Sequence, residues 1–89
     1  MAPSVTDPYD QFHAAVYGPE GNLDRKTRHL ICLGAALGLR CEPCTTYALG
    51  VLRELHTPEA VIDEAIAVAM TVGASSGRLL AKKVRSEIS

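Results

Sequence analysis

Two cysteines separated by two residues are the feature of this sequence that most directly suggests chemistry. They are Cys41 and Cys44, and the chain has one further cysteine, Cys32. A thiol attacks only as its thiolate, and a second thiol one helical turn away can resolve an oxidised intermediate within the same chain. The spacing therefore indicates thiol–disulfide exchange or peroxide reduction.

The residues around the pair predict that both cysteines lie at the start of a helix. Pro43 is tolerated only in the first turn of a helix, so this helix must begin close to Cys41 or Glu42 and continue to about Leu55. The unpaired N–H groups and the dipole of a helix N-terminus stabilise a thiolate. The predicted location therefore favours a reactive cysteine, and by this reasoning alone it would be Cys41, the nearer to the helix end.

Two other interpretations of the cysteines are open. A zinc ion would use Cys41 and Cys44 with His29 or Cys32, but a simple helical hairpin places the last two at least two turns from Cys44, at about 5 Å per turn. The alternative is a pair of structural thiols. Cys32 lies in an apolar stripe with Ile31 and is predicted to be a core residue.

The elements that must position these residues are helices, because Pro and Gly separate the apolar segments and no run alternates with a period of two. We predict an all-α fold of four or five helices. Residues 1–8 are expected to form a flexible tail, and residues 9–89 a single domain. The first helix is predicted from Pro8 to about Tyr17, followed by a turn over residues 18–22.

Later helix boundaries follow from capping residues. Asp24 is predicted to cap a second helix that ends at Gly38, and Thr57 to cap a fourth helix with Pro58 in its first turn. The small residues at 73–77 predict the end of this fourth helix, followed by a short basic helix. The fourth helix is apolar on more than one face, which suits packing on two sides or at a subunit interface.

Composition limits the classes of partner. The chain has 89 residues, 47% of them apolar, and a formal charge of −1. Its charge does not favour nucleic acid or anionic lipid, and the apolar excess favours self-association. The N-terminus lacks a signal-peptide pattern, and no stretch reaches the ~18 apolar residues of a membrane span. We therefore expect a cytoplasmic protein that needs no cofactor and binds neither nucleic acid nor membrane.

Several motifs in order resemble one family. They are the stretch from Leu23 to Arg28, the Cys41/Cys44 pair and the helix start Thr57-Pro58-Glu59. Together, over about residues 9 to 83, they look like the carboxymuconolactone decarboxylase family and its alkylhydroperoxidase D-like branch. The resemblance implies an all-helical subunit that forms homotrimers or homohexamers. It also implies a peroxidase or disulfide reductase in which Cys44 attacks and Cys41 resolves.

The sequence departs from the family pattern at two positions. His29 stands where the family has a relay Glu, and Ala48 stands where the family has a His four residues past the second cysteine. One interpretation is that His29 takes over the work of the missing His. Tyr47, three residues after Cys44, is a further candidate to donate a hydrogen bond to a thiolate.

Three functional classes remain at this stage. The first is a thiol-dependent antioxidant oxidoreductase that uses Cys44, Cys41 and His29, with Tyr47 in support. Its substrate would be a peroxide or another small molecule, and a thiol reductant protein would recycle it. The second is a metal-binding helical protein, and the third is a non-catalytic oligomeric family member whose proton relay has degenerated. We expect the first.

Overall fold

The computed structural model describes residues 7–89, in which every regular element is an α-helix. These helices are α1 (Asp7–Val16), α2 (Arg25–Gly38), α3 (Glu42–Glu54) and α4 (Glu59–Ile88). The all-α fold class is confirmed. The tail expected over residues 1–8 falls almost wholly outside the described residues, and α1 begins at Asp7.

The start of α2 matches its sequence signal. The Asp24 carboxylate accepts a hydrogen bond from the backbone N–H of Thr27 at 2.7 Å, which satisfies one of the unpaired donors of the first turn. This hydrogen bonding with Thr27 lowers the pKa of Asp24 below its ordinary value. Asp24 is thus the N-cap that its sequence position predicts.

The start of α4 differs from the prediction by one residue. Pro58 is the N-cap, and the Thr57 side chain makes no capping hydrogen bond. Thr57 is instead buried, its backbone N–H donates to Leu52 O at 3.0 Å, and its hydroxyl has no hydrogen-bond partner among residues 7–89. The prediction that Thr57 caps α4 is therefore wrong, because this residue belongs to the C-terminal cap of α3.

Helices α2 and α3 end in the same way. Arg40 after α2 and His56 after α3 have φ angles of 58° and 55°, in the left-handed region. The residue after each donates its backbone N–H back into the helix, Cys41 to Ala36 O at 2.9 Å and Thr57 to Leu52 O. This is the Schellman pattern, which here uses a non-glycine residue at the position where glycine is usual. The chain therefore changes direction within a few residues of the end of each helix.

The core is formed where α2 packs against both α3 and α4. Its buried cluster consists of Leu33 from α2, Ala48 and Leu52 from α3, and Ile62 from α4. Only the first turns of α4 contribute to this cluster. The core therefore lies at the α2–α3 hairpin, which carries the cysteines.

Helix α4 continues without interruption through residues 73–77, so the predicted helix end there and the separate basic helix are wrong. A glycine in a helix interior costs only about 1 kcal/mol relative to alanine. A Cβ added at Gly73 or Gly77 would meet nothing within 4 Å, so no close neighbour forces the helix to break at either residue.

The second half of α4 extends away from the rest of the subunit. All residues from 71 to 89 are exposed, including Val72, Leu79 and Leu80. The radius of gyration is 17.4 Å, whereas a compact chain of this length would have about 12 Å. The isolated subunit is therefore elongated, with an amphipathic helix projecting from it.

Helix α4 is long and apolar enough to cross a membrane by length and composition alone, and 6% of the relevant window is buried. One such helix is weak evidence for a membrane protein. Its uncharged stretch covers only residues 65–77, and a bilayer requires about 20 predominantly apolar residues.

We predict that Gly77→Ala stabilises the protein by about 0.5–1 kcal/mol, because alanine restricts the unfolded chain and the space around this helical position is open. Ala74→Gly is the matched control and should destabilise by a similar amount. Urea unfolding followed by circular dichroism measures both effects. A Gly77→Ala protein less stable than the parent would show that a neighbour approaches this glycine closely.

We also predict that capping by Asp24 makes stability depend on pH. The folded-state pKa of Asp24 is lowered from 3.8, so its contribution is present above that value and is lost as the pH falls through the folded-state pKa. Asp24→Asn retains a capping side chain without a charge. Thermal unfolding in acid should show that the parent loses more stability than Asp24→Asn as the pH falls below 4. Parallel curves for the two proteins would contradict the prediction.

Candidate active site

The cysteine pair lies where α2 turns into α3. Cys41 is both the residue whose N–H caps the end of α2 and the N-cap of α3, and Pro43 occupies the first turn of α3. The Cys41 carbonyl accepts hydrogen bonds from the Thr45 backbone N–H at 3.0 Å and from the Thr45 hydroxyl at 2.8 Å. The backbone of Cys41 is therefore held by both helices, as the predicted position of the pair requires.

Cys41 and Cys44 are joined by a disulfide, with their Cα atoms 5.3 Å apart. This separation lies within the usual range for disulfides. Cys41 is half-buried, whereas Cys44 is exposed. Of the two cysteines in the disulfide, Cys44 is therefore the more accessible to a molecule from solvent.

A cavity of about 420 Å³ opens beside the disulfide. All three cysteines of the chain contribute to its wall, since Cys32 projects from α2 one turn before Ala36. Most of the other wall residues are apolar. They include Val16, Leu23, Ile31, Ala35 and Leu39.

Arg28, a cationic residue in this wall, is hydrogen-bonded to backbone atoms of the protein. Arg28 donates from its guanidinium group to the carbonyl oxygens of Val16 at 2.9 Å and of Gly18 at 2.5 Å. These bonds tie the segment after α1 to α2. They also direct the charge toward backbone oxygens, which leaves the cavity with a predominantly apolar character.

His29 is the most constrained polar residue near the site. It is 1% exposed, and both of its ring nitrogens are hydrogen-bonded. Nδ1 lies 2.7 Å from Arg25 O, and Nε2 lies 3.3 Å from the Tyr47 hydroxyl oxygen. A carbonyl oxygen can only accept, so Nδ1 carries the proton and Nε2 of the neutral ring accepts from Tyr47. Neither nitrogen is directed at Cys44.

Aromatic rings from the end of α1 cover this pair. The Tyr17 ring lies 4.7 Å from the His29 ring and 5.9 Å from the Tyr47 ring, and His13 packs 4.7 Å from Tyr17. A hydrogen-bonding interaction with Cys32, together with burial, raises the pKa of Tyr17 to about 12. Tyr17 thus connects the cavity wall to the His29–Tyr47 pair.

The structure groups the sequence candidates in two sets. Cys41 and Cys44 form the disulfide, while His29 and Tyr47 form a hydrogen-bonded pair on the neighbouring helix faces. Cys32 is partly buried and packs against the core cluster, close to its predicted role. Tyr17 was not singled out by any motif, because its part in the site depends on how α1 folds back over α2.

The position at which the family has a histidine lies inside the packed core. Ala48 is completely buried within the core cluster, beside Leu33 and Leu52. An imidazole there would have to displace core side chains.

The zinc interpretation finds no support in the geometry. Within residues 7–89 no three His, Cys, Asp or Glu side chains are grouped closely enough to hold a metal ion. Cys41 and Cys44 are bonded to each other, and His29 directs its nitrogens to Arg25 and Tyr47.

Comparison with known proteins supports the resemblance in the sequence. A crystal structure of a structural-genomics target protein from Methanobacterium thermoautotrophicum is similar to this chain, with a TM-score of 0.81 and 29% sequence identity. The match covers 93% of this chain and 94% of the other. No curated protein matches the sequence.

The family comparison extends over nearly the whole chain. The model of the carboxymuconolactone decarboxylase family matches residues 3–84, which include all of α1, α2 and α3 and most of α4. The helical hairpin, the position of the cysteine pair and this match agree, and the chain therefore belongs to the carboxymuconolactone decarboxylase family.

Proposed function

We propose that this protein is a thiol-dependent oxidoreductase that reduces a peroxide or a disulfide through Cys41 and Cys44. The observation that carries the proposal is the disulfide in the first turn of α3, with Cys44 exposed beside a cavity. Family membership and the cysteine motif are compatible with a role like that of alkylhydroperoxidase D.

The first half of the cycle oxidises the protein. The Cys44 thiolate attacks one oxygen of a hydroperoxide, which breaks the O–O bond, forms a sulfenic acid and releases an alkoxide or hydroxide that takes up a proton. The Cys41 thiol then attacks the sulfenic sulfur, and water leaves as the disulfide forms. The helix N-terminus favours this chemistry because its N–H groups stabilise the attacking thiolate.

The second half of the cycle restores the two thiols. A thiol reductant attacks the disulfide, forms a mixed disulfide and is then displaced as its own disulfide by the second reductant thiol. We place this cycle in the cytoplasm, because reducing systems there regenerate protein thiols.

We further propose that the chain works as a homo-oligomer, a trimer or a hexamer. A groove of about 890 Å³ runs between α2 and α4, lined by apolar residues such as Leu30, Ile66 and Met70. The projecting half of α4 is amphipathic, and its apolar side chains Leu79, Leu80 and Val84 are exposed within residues 7–89. One chain therefore offers both an apolar groove and an exposed row of apolar side chains, so the partner we propose for this surface is a second copy.

We predict that peroxide treatment of the reduced protein removes two of its three thiols and links Cys41 to Cys44. Mass spectrometry after alkylation measures this, since cleavage at Arg40 and Arg53 places both cysteines on one peptide and Cys32 on another. Cys32, fully alkylated before and after treatment, is the internal reference. Recovery of Cys41 and Cys44 as free thiols would refute the proposed activity and leave the non-catalytic family member.

The same experiment assigns the attacking cysteine. In Cys41→Ser, Cys44 should accumulate as a sulfenic acid that dimedone traps, because the resolving thiol is gone. In Cys44→Ser, no adduct should form on Cys41. An adduct on Cys41 in the second variant would reverse the two roles.

We predict that Leu80→Glu, on the projecting half of α4, shifts the oligomer to smaller species, because a buried carboxylate would lose its hydration. Lys82→Glu, on the opposite face of the same helix turn, is the control and should leave the assembly intact. Sedimentation or light scattering measures the mass of each protein. A parent protein that behaves as a stable 9.5 kDa monomer at micromolar concentration would contradict the oligomer.

A further inference from the structure

We infer that residues 16–23 form a flap over the cavity beside the disulfide, and that Arg28 is the latch that holds this flap closed. The latch makes Arg28 a specificity-determining residue, because the flap supplies one wall of the space next to Cys44. The role in selecting a peroxide rests on the proposed function, whereas the closure of the flap does not.

The flap is the part of the cavity wall that is not built from the helical hairpin. It contributes Val16, Tyr17 and Leu23, and the rest of the wall comes from α2, the turn after it and the start of α3. Moving the flap away would therefore open one side of the cavity while the packing of α2 against α3 stays the same.

Helix α1, which leads into the flap, gives it little support. No residue of α1 is buried, whereas the buried core cluster lies in the other three helices. Segments with few buried apolar contacts open at a low free-energy cost. Gly18 and Gly21 lie within the flap, and small residues of a loop can absorb the backbone rotation of a hinge.

Arg28 makes the contacts that close the flap. Its Nη1 donates to Val16 O at 2.9 Å and to Gly18 O at 2.5 Å. The loop also packs over the guanidinium group, since a Cβ added at Gly21 would lie 3.6 Å from Cζ of Arg28. Hydrogen bonds from a charged donor are stronger than those from a neutral one. Because Arg28 lies near the start of α2, it ties the flap to the helix that forms the facing wall.

Tyr17 gives the flap a second attachment, which includes a cysteine of the cavity. The Tyr17 ring lies 4.7 Å from the His29 ring, and Tyr17 interacts with Cys32. Residues 7–89 hold all three cysteines, and with the bridge formed Cys32 is the free one. The thiol of Cys32 therefore reports whether the flap is closed.

The test uses the oxidised protein, in which a maleimide reacts at Cys32. N-ethylmaleimide is compared with a maleimide that carries a polyethylene glycol chain, since the two share one reactive group and differ in size. Arg28→Met keeps an apolar stem and removes the hydrogen bonds to the flap. It should raise the rate of the larger reagent relative to the smaller one by about tenfold. Mass spectrometry of the intact protein measures both rates.

Control variants separate the latch from general disturbance. Lys26→Met removes an exposed cation from the same turn of α2 and should keep the parent ratio. Arg28→Gln is too short to reach both carbonyl oxygens and should behave like Arg28→Met. In both Arg28 variants amide hydrogen exchange should rise over residues 16–23 and stay low around Leu33. An unchanged ratio of maleimide rates, or faster exchange spread equally over all four helices, would overturn the latch.

The selection of a peroxide is tested by the rate of disulfide formation in the reduced protein. Hydrogen peroxide reaches the exposed Cys44 without help from the flap, so Arg28→Met should react with it at the parent rate. Cumene hydroperoxide should react about fivefold more slowly than with the parent, which corresponds to the loss of roughly 40 Å² of apolar contact.

The two measurements distinguish the failures. An open flap in Arg28→Met with an unchanged ratio of the two peroxide rates would overturn the specificity role of Arg28. If neither peroxide forms a disulfide in the parent, the proposed function and the selection of a peroxide are both refuted, and the maleimide ratio still decides whether Arg28 is the latch.

Discussion

The hydrogen bond from the Cys41 N–H to Ala36 O is the interaction on which the site depends. It ends α2 by a left-handed turn at Arg40 and at the same time fixes the N-cap of α3. A longer connection would leave the cysteines on a loop. With this one, Cys44 is held in the first turn of a packed helix, where the backbone N–H groups are unpaired.

Helix α2 connects the core to the hydrogen bond between His29 and Tyr47. Leu33 and His29 are four residues apart and lie on the same face, so packing of the leucine against α3 also brings the imidazole against that helix. Cys32 points to one flank and lines the cavity. Within α2, Leu33 therefore contributes to the core, whereas Cys32 and His29 belong to the candidate site.

Much of the fold follows from local signals in the sequence. Asp24 and Pro43 set helix starts because capping and proline geometry depend on a few neighbouring residues. The small residues at 73–77 misled the prediction, since glycine disfavours a helix by an amount that flanking helical turns can offset. The predicted cap at Thr57 was wrong because the backbone N–H of this residue is hydrogen-bonded to Leu52 O at the end of α3.

The site was predictable only where its residues are close in sequence. The cysteine pair is a local motif, and the two residues between its members keep their Cα atoms within the range of a disulfide. The partners of His29 are not local, since Tyr47 reaches it only through the crossing of α2 and α3. Tyr17 and His13 join them through the return of α1, for which the sequence carries no spacing signal.

The small size of the ring closed by the disulfide has a consequence for the two redox states. Only two residues separate Cys41 from Cys44, and α3 holds both without help from the bridge. Closing so short a loop restricts the unfolded chain by no more than about 2 kcal/mol. The bridge therefore changes the free energy of folding by no more than about 2 kcal/mol, and the packed helices would keep the same arrangement in the dithiol and the disulfide forms.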